Sequence, residues 1–228
     1  MTQSVNHHPS ISLLELYCDG SLNAEVALLI ATHLDYCPHC QQLRRDIETD
    51  LGAELAATNP ATSVTEVHST DWLEMMNKIT ATPQLPQATP AVQPDSQLSI
   101  GGYQFELPRS LRRIAGKRSK WLSMGGIATA RLPSGEPHHA SLLFIDKQTD
   151  VPLHTHQGLE MTLVLSGEMV DENGRYVPGD LIINSPDDTH KPRNISDEPC
   201  LCLSVLSAPL QFKEGLTRWL NPLQRFFY

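Results

Sequence analysis

The chain has 228 residues, 40% of them hydrophobic, enough for one large domain or two small ones with packed cores. It has no apolar run of membrane length and no basic-then-apolar leader at Met1, so a soluble, cytoplasmic protein with no membrane partner is expected. The net charge of −9 is concentrated in the front: residues 1–84 carry eleven acids against three bases, which disfavours direct binding of nucleic acid and suits a basic protein surface.

In chain order, residues 11–18 read as a short helix with Ile11 and Leu14 inward, ended by Gly20 as a left-handed cap. Ser21 is expected to cap a second helix, whose stripe Leu22, Val26, Leu29, Ile30 and His33 has helical period. Cys37 stands where the next helix would be capped, and Pro38 suits its first turn. That third helix is expected from about Pro38 to about Ala57, with Leu43, Ile47, Leu51 and Leu55 inward. Residues 58–66 read as a loop. A fourth helix starts at Ser69 or Thr70 and places Trp72, Leu73, Met76 and Ile79 on one face, where core is the default reading.

Pro83, Pro86, Pro90 and Pro94 punctuate an Ala/Thr/Gln/Ser stretch, so 81–97 reads as an extended linker and a domain boundary. From about Leu98 short apolar runs recur between turns such as Glu172-Asn-Gly174 and Pro178-Gly-Asp180, the pattern of a sandwich or barrel. An aromatic cluster, Trp219 to Tyr228, is expected to pack on it.

Two clusters carry chemistry. His33 and Cys37 are four residues apart on one helical face, and Cys40 returns one turn later. A lone Cys-x-x-Cys reads as a redox pair or two buried thiols, and the added imidazole turns the reading toward structural zinc. The odd number of cysteines, five, agrees with that better than with a disulfide framework. A fourth ligand is needed, from among His7, His8, Cys18, His39 and His68. His39 should point away from a centre bound by both thiols, and Cys18 reads as a small buried residue. A thin helical unit needs such a staple.

The second cluster is His154, His156, Glu160 and His190. The two imidazoles alternate along a strand and share a face, Glu160 has the same parity, and the segment Pro186 to His190 returns a third imidazole. Three imidazoles and a carboxylate make a divalent-metal site. Cys200 and Cys202 share one face of a strand, where two buried thiols are the plainer reading than a sensor pair.

The pattern His33-x3-Cys37-x2-Cys40 with an upstream histidine resembles zinc-binding anti-sigma factors, and that resemblance implies His8 as fourth ligand with His7 in reserve. The stretch His154-x-His156-x3-Glu160-x6-Gly167, then Pro178-Gly-Asp180 and His190-x3-Asn194, resembles the two cupin motifs, except that Gln148 stands at a position usually glycine. Together they resemble the ChrR family of anti-sigma factors. The resemblance implies an α + β two-domain protein: 1–80 a small zinc-binding helical bundle (anti-sigma domain), 81–97 a linker, and 98–228 a C-terminal cupin β-barrel of RmlC-like jelly-roll type. It implies a transcription regulator rather than an enzyme, which sequesters an extracytoplasmic-function-type sigma factor and releases it on singlet-oxygen or other oxidative stress. Zn2+ is expected in the front half, and a divalent metal, again Zn2+, in the cupin. The rival reading is a metal-dependent cupin enzyme, such as a dioxygenase, with a zinc-stabilised docking domain.

Overall fold

The computed structural model describes residues 4–58, 69–83, 95–135 and 138–213. His68, most of the loop expected at 58–66, residues 84–94 of the expected linker and the cluster Trp219 to Tyr228 lie outside the described residues. By packing, the described residues of Met1–Ile47 and Pro94–Tyr228 form one compact unit, and those of Glu48–Gln93 a second. The division into 1–80, 81–97 and 98–228 groups the chain by role instead, and is taken up below as a proposal.

In the first unit, α1 spans Ile11–Cys18, with Ser10 as its cap: the Ser10 side chain accepts from the Leu13 N–H. Gly20 follows at φ +78°, a conformation glycine takes without a Cβ penalty. Leu14 is fully buried, whereas Ile11, expected inward, faces solvent. Helix α2 spans Ala24–Tyr36 and is capped by Asn23 rather than Ser21. Ser21 is drawn into the preceding turn, its N–H given to the Leu16 carbonyl and the Asp19 carboxylate, so the helix begins two residues later. Helix α3 spans Pro38–Ala57, with Pro38 at its first position, where a missing N–H costs nothing.

The second unit holds the far half of α3 and α4 (Ser69–Ala81). Here the expected core is corrected. Leu51 and Leu55 on α3 are exposed, and on α4 Trp72 is 52%, Leu73 59%, Met76 41% and Ile79 61% exposed. The stripe on α4 keeps its helical period, but the described residues offer no layer to bury it.

The rest of the first unit is β-rich, with one helix the sequence pattern did not announce. A hairpin of β1 (Gln97–Ile100) and β2 (Tyr103–Glu106) leads into α5 (Arg109–Ala115). Then come β3 (Leu122–Met124), β4 (Ile127–Arg131), β5 (His139–Ile145), β6 (Thr149–Asp150), β7 (His154–His156) and β8 (Glu160–Ser166). They are followed by β9 (Met169–Val170), β10 (Arg175–Tyr176), β11 (Leu181–Asn184), β12 (Thr189–His190) and β13 (Arg193–Asn194). The described chain closes with β14 (Cys200–Leu206) and β15 (Leu210–Phe212). All pairings are antiparallel; the main sheet runs β11-β8-β14-β5-β4-β3, beside a four-stranded β10-β9-β13-β6 and a three-stranded β12-β7-β15.

The main sheet is covered on both faces, which is why all seven residues of β14 are buried. Met161, Leu163, Leu165, Leu201, Leu203 and Val205 face one core with Leu14, Leu29 and Ile30 of the front helices and Leu111 of α5. The alternate positions, among them Val164, Ile145, Cys200 and Cys202, face a second core with Met169 and Ile182. Each fully buried leucine contributes roughly 1.5–3 kcal/mol. Polar ties reinforce the contact. Ser110 gives its N–H to Asp35 and its hydroxyl to Thr32, and the Gly135 N–H donates to the nearly buried Glu25 carboxylate at 2.7 Å. The front helices thus form one wall of the β-rich body.

Gln148 is the one non-glycine with positive φ (+51°) among the described residues. That explains why glycine is usual there: a Cβ is disfavoured in this region. Here the Gln148 side-chain amide donates to the carbonyls of Ile195 and Ser196 and offsets part of the strain.

Candidate metal centres

The first centre forms where α2 ends and α3 begins. Cys37 is the extended residue between them (φ −110°, ψ 99°), so its sulfur turns back toward His33 one turn earlier and Cys40 one turn later. The Cys40 N–H points at the Cys37 sulfur, 3.4 Å away. The N-terminal arm brings His8, whose Nδ1 lies 3.4 Å from each sulfur. One ligand atom from each of His8, His33, Cys37 and Cys40 lies within 4.8 Å of the others. The other fourth-ligand candidates stand aside. His7 turns to Asp180 and the Tyr176 ring, His39 is exposed and packs edge-on to His8, and half-buried Cys18 faces the Arg44 carbonyl.

The β domain supplies the support of this centre. His33 Nδ1 donates to the Gly179 carbonyl at 2.7 Å, since a carbonyl can only accept. The tautomer leaves Nε2 bare, and that atom is buried with no hydrogen-bond partner. An orphaned imidazole nitrogen facing two thiols is what a bound cation would satisfy. Burial lowers the proton affinity of His33 and of His8, which keeps both available as neutral ligands. Burial, with Cys37 beside it, pushes the Cys40 thiol up to about 12, so thiolates at neutral pH require a cation between them. The donor set of two sulfurs and two imidazoles fits tetrahedral zinc.

Asp180, fully buried and read from sequence as a turn and cupin-motif residue with no ligand role, anchors the arm: it accepts from the N–H groups of Asn6, His7 and Val177 at 2.6–2.9 Å. The Leu181 N–H donates to the His7 carbonyl, so the arm continues the edge of β11. Gly179 sits at φ +95°, and a Cβ there would come within 2.6 Å of Val5 and 2.8 Å of Tyr36.

The second centre lies inside the β domain. His190 pairs with His154 across β12 and β7. His190 Nε2 is 3.0 Å from His154 Nε2 and 3.2 Å from His156 Nε2, and the Glu160 carboxylate is 3.3–3.4 Å from His156 and His190. Glu160 joins them by opening β8 after a turn, not by continuing the parity of the His154–His156 strand. His154 Nδ1 donates to the Pro152 carbonyl at 2.9 Å, which bares Nε2 toward the centre. Three imidazole nitrogens this close cannot all carry protons, so the set fits a divalent cation.

The electrostatics agree. Burial raises the Glu160 carboxyl, but the hydrogen bond with His190 and the charges of the three histidines outweigh it and hold it at about 2. Burial lowers His154 to about 4. Burial opposes protonation of His190 too, yet Glu160 and Asp171 raise it. Asp171 and Asn184, neither singled out from sequence, support the ligands: Asp171 lies 3.5 Å from His190 Nδ1, and the Asn184 amide donates to Glu160 at 3.1 Å. Asn194 of the motif does not reach the centre; its amide pins the carbonyls of Ile145, Asp146 and Glu198. A cavity of about 520 Å³ opens beside the centre, and His154, Glu160 and His190 form part of its wall. Cys200 and Cys202 are both fully buried, their sulfurs 3.6 Å apart.

The family model of the ChrR cupin-like domain matches residues 113–209. The anti-sigma-E factor ChrR of Cereibacter sphaeroides is 30% identical over 226 residues, covering 97% of this chain and 99% of that protein. Among solved structures, the crystal structure of Rhodobacter sphaeroides SigE in complex with the anti-sigma ChrR has a chain that is 29% identical. The match covers 89% of this chain and 99% of that one at a TM-score of 0.68. An RmlC-like cupin from Ralstonia eutropha matches 44% of this chain and 69% of its own at 12% identity and a TM-score of 0.40.

Proposed function

The chain belongs to the ChrR family of anti-sigma factors, and from that premise we propose that it holds an extracytoplasmic-function-type sigma factor in an inactive complex. The observation that carries the reading is the second unit. Its α4 presents Trp72, Leu73, Met75, Met76 and Ile79 to solvent, an apolar stripe a lone chain has no reason to expose. The acidic excess of residues 1–84 suits a partner whose own surface must otherwise bind polymerase and DNA. The kinship is to a regulator over almost the whole length, which favours a regulatory role over cupin catalysis.

In this reading residues 1–80 are the sigma-binding part, 81–97 the linker and 98–228 the responsive part. His8, His33, Cys37 and Cys40 hold a structural Zn2+; His154, His156, Glu160 and His190 hold a second divalent ion, Zn2+. The complex forms in the cytoplasm, where sigma factors work. Singlet oxygen or other reactive oxygen species, acting at the β domain, release the partner. The support of the first centre by Gly179 and Asp180 gives a physical route for that release, because disturbance of the turn reaches His33 and the arm that carries His8.

Mixing the zinc-loaded chain with its cognate sigma factor should give a stoichiometric complex on gel filtration. Trp72→Ala with Ile79→Ala should weaken it at least about tenfold. His156→Ala should leave complex formation intact and abolish release by singlet oxygen. The absence of a complex with any such sigma factor of the host would overturn the reading.

A further inference from the structure

The cavity of the β domain carries polar groups that the metal centre does not use. On its wall, Ser204 of β14 lies directly across from Ser141 of β5 on one side and Thr162 of β8 on the other. Ser141, Thr162 and Ser204 are 9%, 4% and 4% exposed as residues, all three line the cavity, and their hydroxyls make no hydrogen bond to another described residue. Hydroxyls that open onto cavity space can donate to, or accept from, what occupies it. Neighbouring strands lie roughly 4.8 Å apart, so the row is a ladder of donors at regular spacing across the sheet. Small residues at these positions also leave open the space that larger ones would fill.

The row has a fixed relation to the metal centre. Thr162 stands two residues along β8 from Glu160, ~6.8 Å away on the same face. Much of the remaining wall is apolar, with Leu122, Met124, Leu143, Met169, Ile182 and Phe212 beside the polar Thr129 and Asp150. Leu122 and Met124 are also exposed, so the apolar surface continues outward. Three neutral imidazoles and one carboxylate around a divalent cation leave one positive charge in this apolar surrounding, and a monoanion neutralises it at least cost. The cavity volume falls in the range of small-molecule sites, ~300–1,000 Å³.

We propose that this cavity binds a medium-chain aliphatic carboxylate bearing a hydroxyl or keto oxygen part-way along its chain. The carboxylate is placed at the His154/His156/Glu160/His190 centre, the mid-chain oxygen on the Ser141–Ser204–Thr162 row and the tail against the apolar wall. The inference rests on the reading that the centre holds a divalent cation, and it gives the responsive domain a ligand class.

The test is calorimetric titration of the full zinc-loaded chain with 5-hydroxydecanoate, decanoate and decanol. One-to-one binding of 5-hydroxydecanoate is expected, about five- to tenfold tighter than decanoate, the worth of one or two hydrogen bonds, with decanol weaker than both. Thr162→Val with Ser204→Ala should erase the preference for the hydroxylated acid, and Leu143→Trp should block both acids. Zinc content and thermal melting report that each variant is folded. A zinc-loaded centre with no saturable binding of either acid overturns the ligand proposal alone. A preference that survives Thr162→Val with Ser204→Ala, or binding that survives Leu143→Trp, overturns the placement. A centre that takes up no cation overturns the metal reading beneath it, and the ligand proposal falls with it.

Discussion

The two candidate metal centres use the same device with opposite consequences. In each, a histidine gives Nδ1–H to a backbone carbonyl, Gly179 for His33 and Pro152 for His154, and turns a bare Nε2 inward. At the first centre the carbonyl belongs to the distant β domain, so the ligands lie within 32 positions of one another in sequence but depend on a turn 146 positions from His33. At the second, ligands and supports all come from the β domain itself, and a cavity reaches the ligands. A closed thiol centre suits holding a shape; an imidazole–carboxylate centre open to a cavity suits exchange with what enters. The difference also shows that the support of the first centre is not local to the front helices.

The largest expected effect tests the holding role. Cys40→Ser should lose one equivalent of zinc and unfold the N-terminal arm and front helices, because structural zinc is worth on the order of 10 kcal/mol. Metal analysis with circular dichroism checks it; a variant that keeps two zinc equivalents and full helicity would break the contrast.

The next concerns the imidazole centre after metal is stripped. His154 is held at about 4 in the folded chain against an ordinary 6.5. As pH falls from 6.5 toward 4 the unfolded chain takes up this proton and the folded chain does not, so folded stability is lost over that window. The loss approaches ~3 kcal/mol at most. His154→Gln does not titrate there. Urea melts at pH 7 and pH 4.5 should therefore show the stripped parent losing more stability than the stripped variant; equal losses would remove burial as the cause.

A smaller effect sharpens the link between the regions. Asp180→Ala leaves three N–H groups of the arm and turn without their acceptor and should cost about 2 kcal/mol. It should also speed zinc capture from the thiol centre by a chelator while leaving the imidazole centre unaltered. Uniform acceleration at both centres would mean the support is not specific. Smallest is Gln148. Replacing it with Ala keeps the positive φ but loses two hydrogen bonds, and should cost about 1 kcal/mol more than Gln148→Gly, which relieves the backbone. Thermal melts of the pair decide the order.

Much of the site was legible in sequence because ligand spacing is a local property. His33, Cys37 and Cys40 are fixed by helix period and by Pro38, and His154 and His156 by strand alternation. His8 was narrower by resemblance than by spacing, since an arm without regular structure has no period to read. Glu160 was named for a parity that does not extend across its turn, yet it reaches the centre as the first residue of the next strand. Asp180, Asp171 and Asn184 gave no signal beyond turn, motif or strand composition, because second-layer partners are set by what packs nearby.

The sequence by itself determined the His33-Cys37-Cys40 and His154-His156 spacings, the run of front helices before the strands and the turn at Gly20, since each depends on neighbours within a few residues. Only the tertiary structure decided that the front helices form a wall of the β domain, that α4 leaves its apolar stripe exposed, and that the hydroxyls of Ser141, Thr162 and Ser204 align in one cavity. The physical reason is range. Period and spacing record which side of an element is apolar, whereas what covers that side is settled by contacts between residues far apart in the chain.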